Sequence, residues 1–134
     1  MSDCIFCRII SGDLPSYKLC EDDRVVAFLD AFPAVKGHTL VVPKAHASDL
    51  FASDPEDLKA VLRVVLDIAP KLQASLGADG INITTNKGEA AGQSVFHTHV
   101  HILPRFKDDG KSLWSPMDPK PDLEALHQEL KAAI

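Results

Sequence analysis

From Leu58 onward, apolar residues recur at three- and four-residue intervals: Leu58, Val61, Leu62, Val65, Leu66, Ala69, Leu72 and Leu76, with polar or charged residues between most of them. That spacing predicts one long amphipathic helix with a single apolar face. Asp54 is placed to cap its start, Pro55 suits the first helical position, and Glu56 and Asp57 suit the positive end of the helix dipole. Gly77 marks the end. Pro70 falls inside the pattern, which continues past it, so a bend rather than a stop is expected there.

Outside this segment the chain changes to short runs rich in β-branched residues. "YKLCED" (17–22) and "RVVAFLD" (24–30) read as a hairpin turning at Asp22-Asp23, and "HTLVVP" (His38 to Pro43) as a third strand. "INITTN" (Ile81 to Asn86) and "SVFHTHVHILP" (Ser94 to Pro104) make a fourth and a fifth. Short helices are expected at Ile5 to Ser11, ending at Gly12, and at Asp122 to Ala133, with the proline-containing stretch Met117 to Pro121 a loop. Strands, helix, strands in that order predict an α+β domain around a mainly antiparallel sheet.

The 134 residues suffice for one domain with its own core. The apolar runs are too short to cross a bilayer, and the N-terminus lacks a basic region followed by a long apolar stretch, so no membrane partner and a cytoplasmic location are expected. A net charge of −5 argues against binding a nucleic-acid backbone, although a small anionic ligand stays compatible with a local pocket. Three cysteines, Cys4, Cys7 and Cys20, are an odd number and argue against a disulfide framework, so "CIFC" needs another reading.

Candidate chemistry concentrates in "HTHVHILPR", where His97, His99 and His101 alternate with other residues. On a strand they would share a face, with Phe96, Val100 and Ile102 turned to the core and Thr98 an exception. Three readings fit: half-buried histidines without a task, a catalytic metal site, or attack by one imidazole on phosphorus with its neighbours assisting. Upstream, the glycine-containing loop "NKGEAAGQS" (Asn86 to Ser94) can turn backbone N–H groups toward an anion, which favours phosphate chemistry. Spacing alone leaves the last two readings close.

The motif resembles that of the histidine triad (HIT) family, and so do "DCIFCRIISGDLPS", "YKLCEDDRVVAFLDAFPAVKGHTLVVPKAH" and "NKGEAAGQSVF", so the likeness covers nearly all of residues 3 to 106. It implies a HIT-like α+β fold over a single domain, 1–134, with 107–134 as a C-terminal loop and helix. It also implies a homodimer that hydrolyses or transfers nucleotides through a covalent nucleotidyl-histidine. His99 is then the nucleophile, His101 contacts the phosphate and assists the leaving group, His38 supports them, and Ser94 hydrogen-bonds the leaving-group side. Asn86 and the Gly92-Gln93-Ser94 turn would hold the phosphate of a purine nucleotide, and Asp30 would bind the ribose hydroxyls. Phe6, Ile9, Phe28 and Ala31 would line the base pocket. In the related galactose-phosphate uridylyltransferases the third triad position is glutamine, so His101 favours hydrolysis. "ILPRF" departs from the glycine pair of mammalian members, which leaves nucleoside phosphoramidates and dinucleoside polyphosphates both open as substrates, with Arg105 either a phosphate contact or solvated. A nucleotide-binding or protein-interaction module with incidental hydrolysis is the alternative of a different class.

The Cys4 and Cys7 spacing suits two thiolate ligands of zinc; a redox pair is the rival. Resemblance to bacterial members and to the uridylyltransferases completes the set with His46 and His97, implying a structural, non-catalytic Cys2His2 zinc. His127 is read as solvent-facing on the C-terminal helix. Trp114 receives no role beyond an interface contact.

Overall fold

The computed structural model describes residues 3–134; Met1 and Ser2, on which part of the reading of the N-terminus rests, lie outside them. Helix α1 is Ile5–Ser11. It is followed by β1 (Lys18–Glu21), β2 (Val25–Leu29), β3 (Thr39–Pro43), α2 (Pro55–Leu76), β4 (Gly80–Thr84), β5 (Val100–Arg105) and α3 (Leu123–Ala133). The five strands form one antiparallel sheet in the order β1-β2-β3-β5-β4. The α+β architecture expected from the sequence is present.

Both ends of α2 follow their expected chemistry. The Glu56 amide donates to Asp54 Oδ1 at 2.8 Å, Pro55 opens the first turn, and Gly77 closes the helix at φ 65°. Helix α2 runs unbroken through Pro70, which is exposed. It buries Val61, Val65 and Ala69 against Val25, Ala27, Val41 and Ile102 of the sheet. Leu62 and Leu66, counted in the apolar face from spacing alone, are instead 54% and 68% exposed; Ala60, Val64 and Ile68 pack in their place. The stripe that meets the sheet is thus turned by about one position from the one that periodicity picks out.

The opposite face of the sheet is covered by α1, whose Phe6 and Ile9 pack on Val26, Phe28, Leu40 and Val42. His101 is directly opposite Leu40 on β3 and Thr84 on β4, so it projects on that same α1 side. Residues 107–134 contribute little to either core, and α3 has no buried residue.

The fifth strand is shorter than its sequence predicts. Only His101 of the triad lies in the ladder; Ser94 to His99 precede it. Other partners claim this stretch: the Thr98 amide donates to Ala47 O, and Thr98 Oγ1 sits 2.7 Å from Ser53 Oγ. Thr98, treated as an exception from sequence, is 1% exposed, whereas Phe96, assigned to the core, is 52% exposed. Arg105 holds neither of its expected positions, since it clamps Asp109 through Nε and Nη2 and donates to Asn82 Oδ1 and Lys111 O, pinning the turn after β5.

Candidate active site

His99 is 7% exposed, and its ring orientation is set by its own backbone neighbourhood. Nδ1 lies 2.6 Å from the His97 carbonyl, which can only accept, so Nδ1 carries the proton and Nε2 the lone pair. Thr85 Oγ1 donates to the His99 carbonyl at 2.8 Å and holds the main chain. The Phe6 ring meets the His99 ring edge-on at 5.0 Å. A neutral imidazole with an unengaged lone pair and a fixed ring is what nucleophilic attack requires.

His101 belongs to a second chain of hydrogen bonds that fixes its tautomer from a distance. The Ala34 amide donates to His38 Nδ1 at 3.0 Å, which leaves the proton of His38 on Nε2. That Nε2 is 2.9 Å from His101 Nδ1, so His101 accepts there and presents Nε2–H as its free donor. Asp30 Oδ2 stands 3.5 Å from the same His38 nitrogen, and Asp30 Oδ1 accepts from the Phe32 amide. Asp30, His38 and His101 could be taken for a metal-binding trio. The Ala34 amide opposes that, because it occupies the one His38 nitrogen that could hold the proton while Nε2 served as ligand.

Burial pushes His38, His97 and His99 below the ordinary imidazole range, and pushes His101 down to about 4, with His99 and His38 adding to the effect. The triad region is therefore neutral near pH 7, which keeps the donor and acceptor pattern above intact. For His101 the lowered value means that, between about pH 6.5 and 4, the unfolded chain binds a proton that the folded one refuses. Stability is retained above that window and falls as the pH drops through it. Unfolding free energies at pH 7 and pH 5 are expected to differ by about 1 kcal/mol more in the native protein than in His101→Gln; equal differences would remove His101 from the account.

One cavity of about 510 Å3 gathers most of the predicted nucleotide site: Phe6, Ile9, Phe28, Asp30, Ala31, Ser94, His99 and His101 all line it. Ile5, Leu29, Leu40 and Val95, with Pro15, Ser16, Tyr17 and Phe32, none of them singled out from the sequence, also line it. His38 sits behind His101. Asn86, Gly92 and Gln93 are outside this lining. Gly92 packs at φ 95° beside the Asn86 side chain, and Gln93 is 3% exposed with its polar atoms committed. Gln93 Oε1 accepts from the Gly88 amide, Nε2 donates to Ser48 O and Val95 O, and its own amide donates to Gly88 O. Gln93 is therefore a strut that shapes the loop. Gln93→Leu is expected to cost about 2–4 kcal/mol in chemical denaturation by stranding buried partners.

Cys4, Cys7, His46 and His97, the four residues expected to hold zinc, come together within reach of one metal ion. His97 Nε2 donates to Pro43 O at 2.8 Å, leaving the Nδ1 lone pair pointed at the cysteines. Cys4 Sγ is 3.3 Å and Cys7 Sγ 3.5 Å from that Nδ1; His46 Nδ1 is 3.1 Å from it and 3.4 Å from Cys7 Sγ. Tetrahedral zinc, with bonds of about 2.3 Å to sulfur and about 2.0–2.1 Å to nitrogen, separates donors by roughly 3.3–3.8 Å, and the four separations above lie at or just below the short end of that range. Cys4 also caps α1, its Sγ accepting from the Cys7 amide. His97 thus links the metal-ligand cluster to the carbonyl that orients His99.

Comparison with known proteins agrees with this geometry. An uncharacterised HIT-like protein of Borreliella burgdorferi is 51% identical over 112 residues, spanning 82% of this chain and 81% of its own. An adenylylsulfatase of Arabidopsis thaliana is 41% identical over 114 residues, covering 85% of this chain and 57% of that protein. Among solved structures, a Streptococcus mutans protein superposes with TM-score 0.91 at 42% identity over 99% of this chain and 84% of that one. A zinc-bound histidine triad protein of Mycobacterium smegmatis gives 0.77 at 39% identity over 99% of each chain. A histidine triad nucleotide-binding protein of Candida albicans gives 0.84 at 32% identity over 98% and 96%. The HIT domain pattern itself matches residues 11–108, the stretch that carries both hydrogen-bond chains described above, and the chain belongs to that family.

Proposed function

We propose that the protein is a nucleotide hydrolase that acts at the α-phosphate of nucleoside phosphoramidates or dinucleoside polyphosphates and releases a nucleoside monophosphate. The observation that carries this reading is the locked His99 ring, with Nδ1–H on the His97 carbonyl and Nε2 free beside a cavity that also holds Asp30. His99 Nε2 attacks phosphorus and the leaving group departs with the electron pair of its bond. As positive charge develops on the imidazole, the His97 carbonyl meets it through Nδ1–H. His101 Nε2–H donates to a non-bridging phosphate oxygen, and Ser94 to the leaving-group side. Water then attacks the nucleotidyl-histidine, and a proton taken up in the first half is returned in the second.

Asp30, as an acceptor, binds the ribose hydroxyls, and Phe6, Ile9 and Phe28 pack on a purine base. Zinc held by Cys4, Cys7, His46 and His97 would tie α1 to the triad and supply rigidity. A homodimer completes the proposal, supported by exposed Leu62 and Leu66 on α2 and Ile83 on the outer strand β4; sedimentation at micromolar concentration checks it.

Intact-protein mass spectrometry after a rapid quench without acid tests the reaction. With adenosine phosphoramidate or diadenosine polyphosphate offered separately, a transient gain of one adenylyl group is expected on the native protein and none on His99→Ala. Nucleotide binding with neither adduct nor turnover would replace this reading with that of a binding module.

A further inference from the structure

Ser16 belongs to the wall of the main cavity, beside Phe28 and Asp30. Its Oγ is the one buried side-chain oxygen or nitrogen among the described residues that has no hydrogen-bond partner. We propose that the Ser16 hydroxyl reads the base of the bound nucleotide: it hydrogen-bonds the polar edge of a purine, so that the cavity discriminates between bases by hydrogen bonding as well as by shape. The inference rests on the nucleotide reading above and deepens it by naming a residue that sets base specificity.

Energy is the first argument. A hydroxyl held away from water without a partner forfeits the hydrogen bonds that it makes in the unfolded chain. Every other buried side-chain polar atom among the described residues is satisfied. The defect is therefore local, and it falls in the wall of the cavity. Ser16 as a residue is only half-buried. A turn about its Cα–Cβ bond to another staggered position exchanges a withdrawn hydroxyl for one that faces a ligand. Binding then supplies the partner that the empty wall lacks.

Position is the second. The Leu29 amide donates to Tyr17 O at 3.0 Å, and Lys18 lies opposite Phe28. Continued past Leu29, that antiparallel pairing sets Ser16 across from Asp30 and on the Phe28 side of the sheet, which α1 covers. With ribose hydroxyls on Asp30 and the base against Phe6, Ile9 and Phe28, Ser16 stands where the sugar gives way to the base.

The surroundings are the third. Asp30, Ser94, His99 and His101 are assigned above to sugar and phosphate; the other described side chains of the lining are apolar except Ser16 and Tyr17. Tyr17 is 76% exposed, so its phenol keeps its water at the rim. Purine nitrogens that enter the apolar wall lose theirs. An enclosed partner there separates a base that can hydrogen-bond from one that cannot more sharply than a group at the rim does.

The test is calorimetric titration of native zinc-loaded protein and Ser16→Ala with AMP, its 1-deaza, 3-deaza and 7-deaza analogues and purine riboside 5′-monophosphate, with 2′-deoxy-AMP as the control for the sugar. At least one base analogue is expected to bind the native protein about three- to tenfold more weakly than AMP, and that gap to shrink below about twofold in Ser16→Ala, because one neutral hydrogen bond is at stake. The 2′-deoxy penalty should be the same in both proteins. Without nucleotide, Ser16→Ala should melt no lower than the native protein, since its Oγ has no bond to lose. Base analogues that all bind the native protein as AMP does, or a base gap that survives in Ser16→Ala, would overturn the proposal. So would a 2′-deoxy penalty abolished by the substitution, which moves Ser16 to the sugar, or a lower melting temperature of the empty variant, which makes its hydroxyl a structural bond. Titration reads binding and not turnover. A protein with Ser16-dependent base selectivity and no adenylyl adduct loses the hydrolase reading and keeps this inference; turnover without that selectivity loses this inference alone, and failure to bind AMP at all removes both.

Discussion

Replacing His99 by alanine is expected to lower kcat/KM by about 10^4-fold or more, while AMP affinity changes less than about threefold. The asymmetry follows from the geometry. The cavity wall of Phe6, Ile9, Phe28 and Asp30 does not depend on the His99 ring for its position; Phe6 and Phe28 pack edge-on at 5.6 Å within their own cluster. What alanine removes is the one imidazole nitrogen at the cavity left with an unengaged lone pair, and neither of the other triad histidines can replace it. His101 is turned so that Nε2 donates and Nδ1 is occupied by His38, and His97 has both nitrogens engaged, one with Pro43 O and one among the cysteines. Steady-state kinetics and calorimetric titration of AMP measure the two quantities. Residual activity within a hundredfold of the native protein would mean that attack does not come from His99. His101→Ala, which removes a donor and no nucleophile, is expected to cost about 10^2-fold and to leave the adduct detectable.

The long helix and the sheet were legible because their signals are local. Asp54, Pro55 and Gly77 mark α2 by hydrogen-bonding rules that need nothing beyond neighbouring residues, and Val25 to Phe28 alternate onto two cores as the pleat requires. The site residues were found through spacing and resemblance, and eight of them do line one cavity. Long-range hydrogen bonds hid the rest. Nothing near Thr98 in the chain announces that Ser53 and Ala47 will hold it, so the alternating pattern was extended too far and Phe96 was assigned to the wrong side. Gln93 sits in a loop whose glycines suggest an anion cradle, yet its donors and acceptors are consumed by Ser48, Gly88 and Val95. The tautomer of His101 is set by the amide of Ala34 through His38, a relay that sequence position cannot reveal.

Cys7→Ser is expected to bring bound zinc from one equivalent per chain to under about 0.2 and to lower unfolding stability by about 3–5 kcal/mol. Zinc contributes much more than that in small domains that are unfolded without it; here the core between α2 and the sheet stands independently, so the domain should remain folded. The loss should be concentrated in α1. This helix has seven residues, too short to persist without tertiary support, and its N-terminal attachment is the quartet of Cys4, Cys7, His46 and His97. Freed from it, Phe6 and Ile9 would no longer be held over Phe28 and His99, so the base end of the cavity should open and KM rise. Metal analysis, denaturation and amide exchange across Ile5 to Ser11 check each link. Chelation of the native protein should reproduce the variant on all three. Loss of activity with stability and α1 protection unchanged would instead place the metal in the chemistry, and a zinc-free protein as stable and as active as the loaded one would leave the quartet without the anchoring role assigned to it.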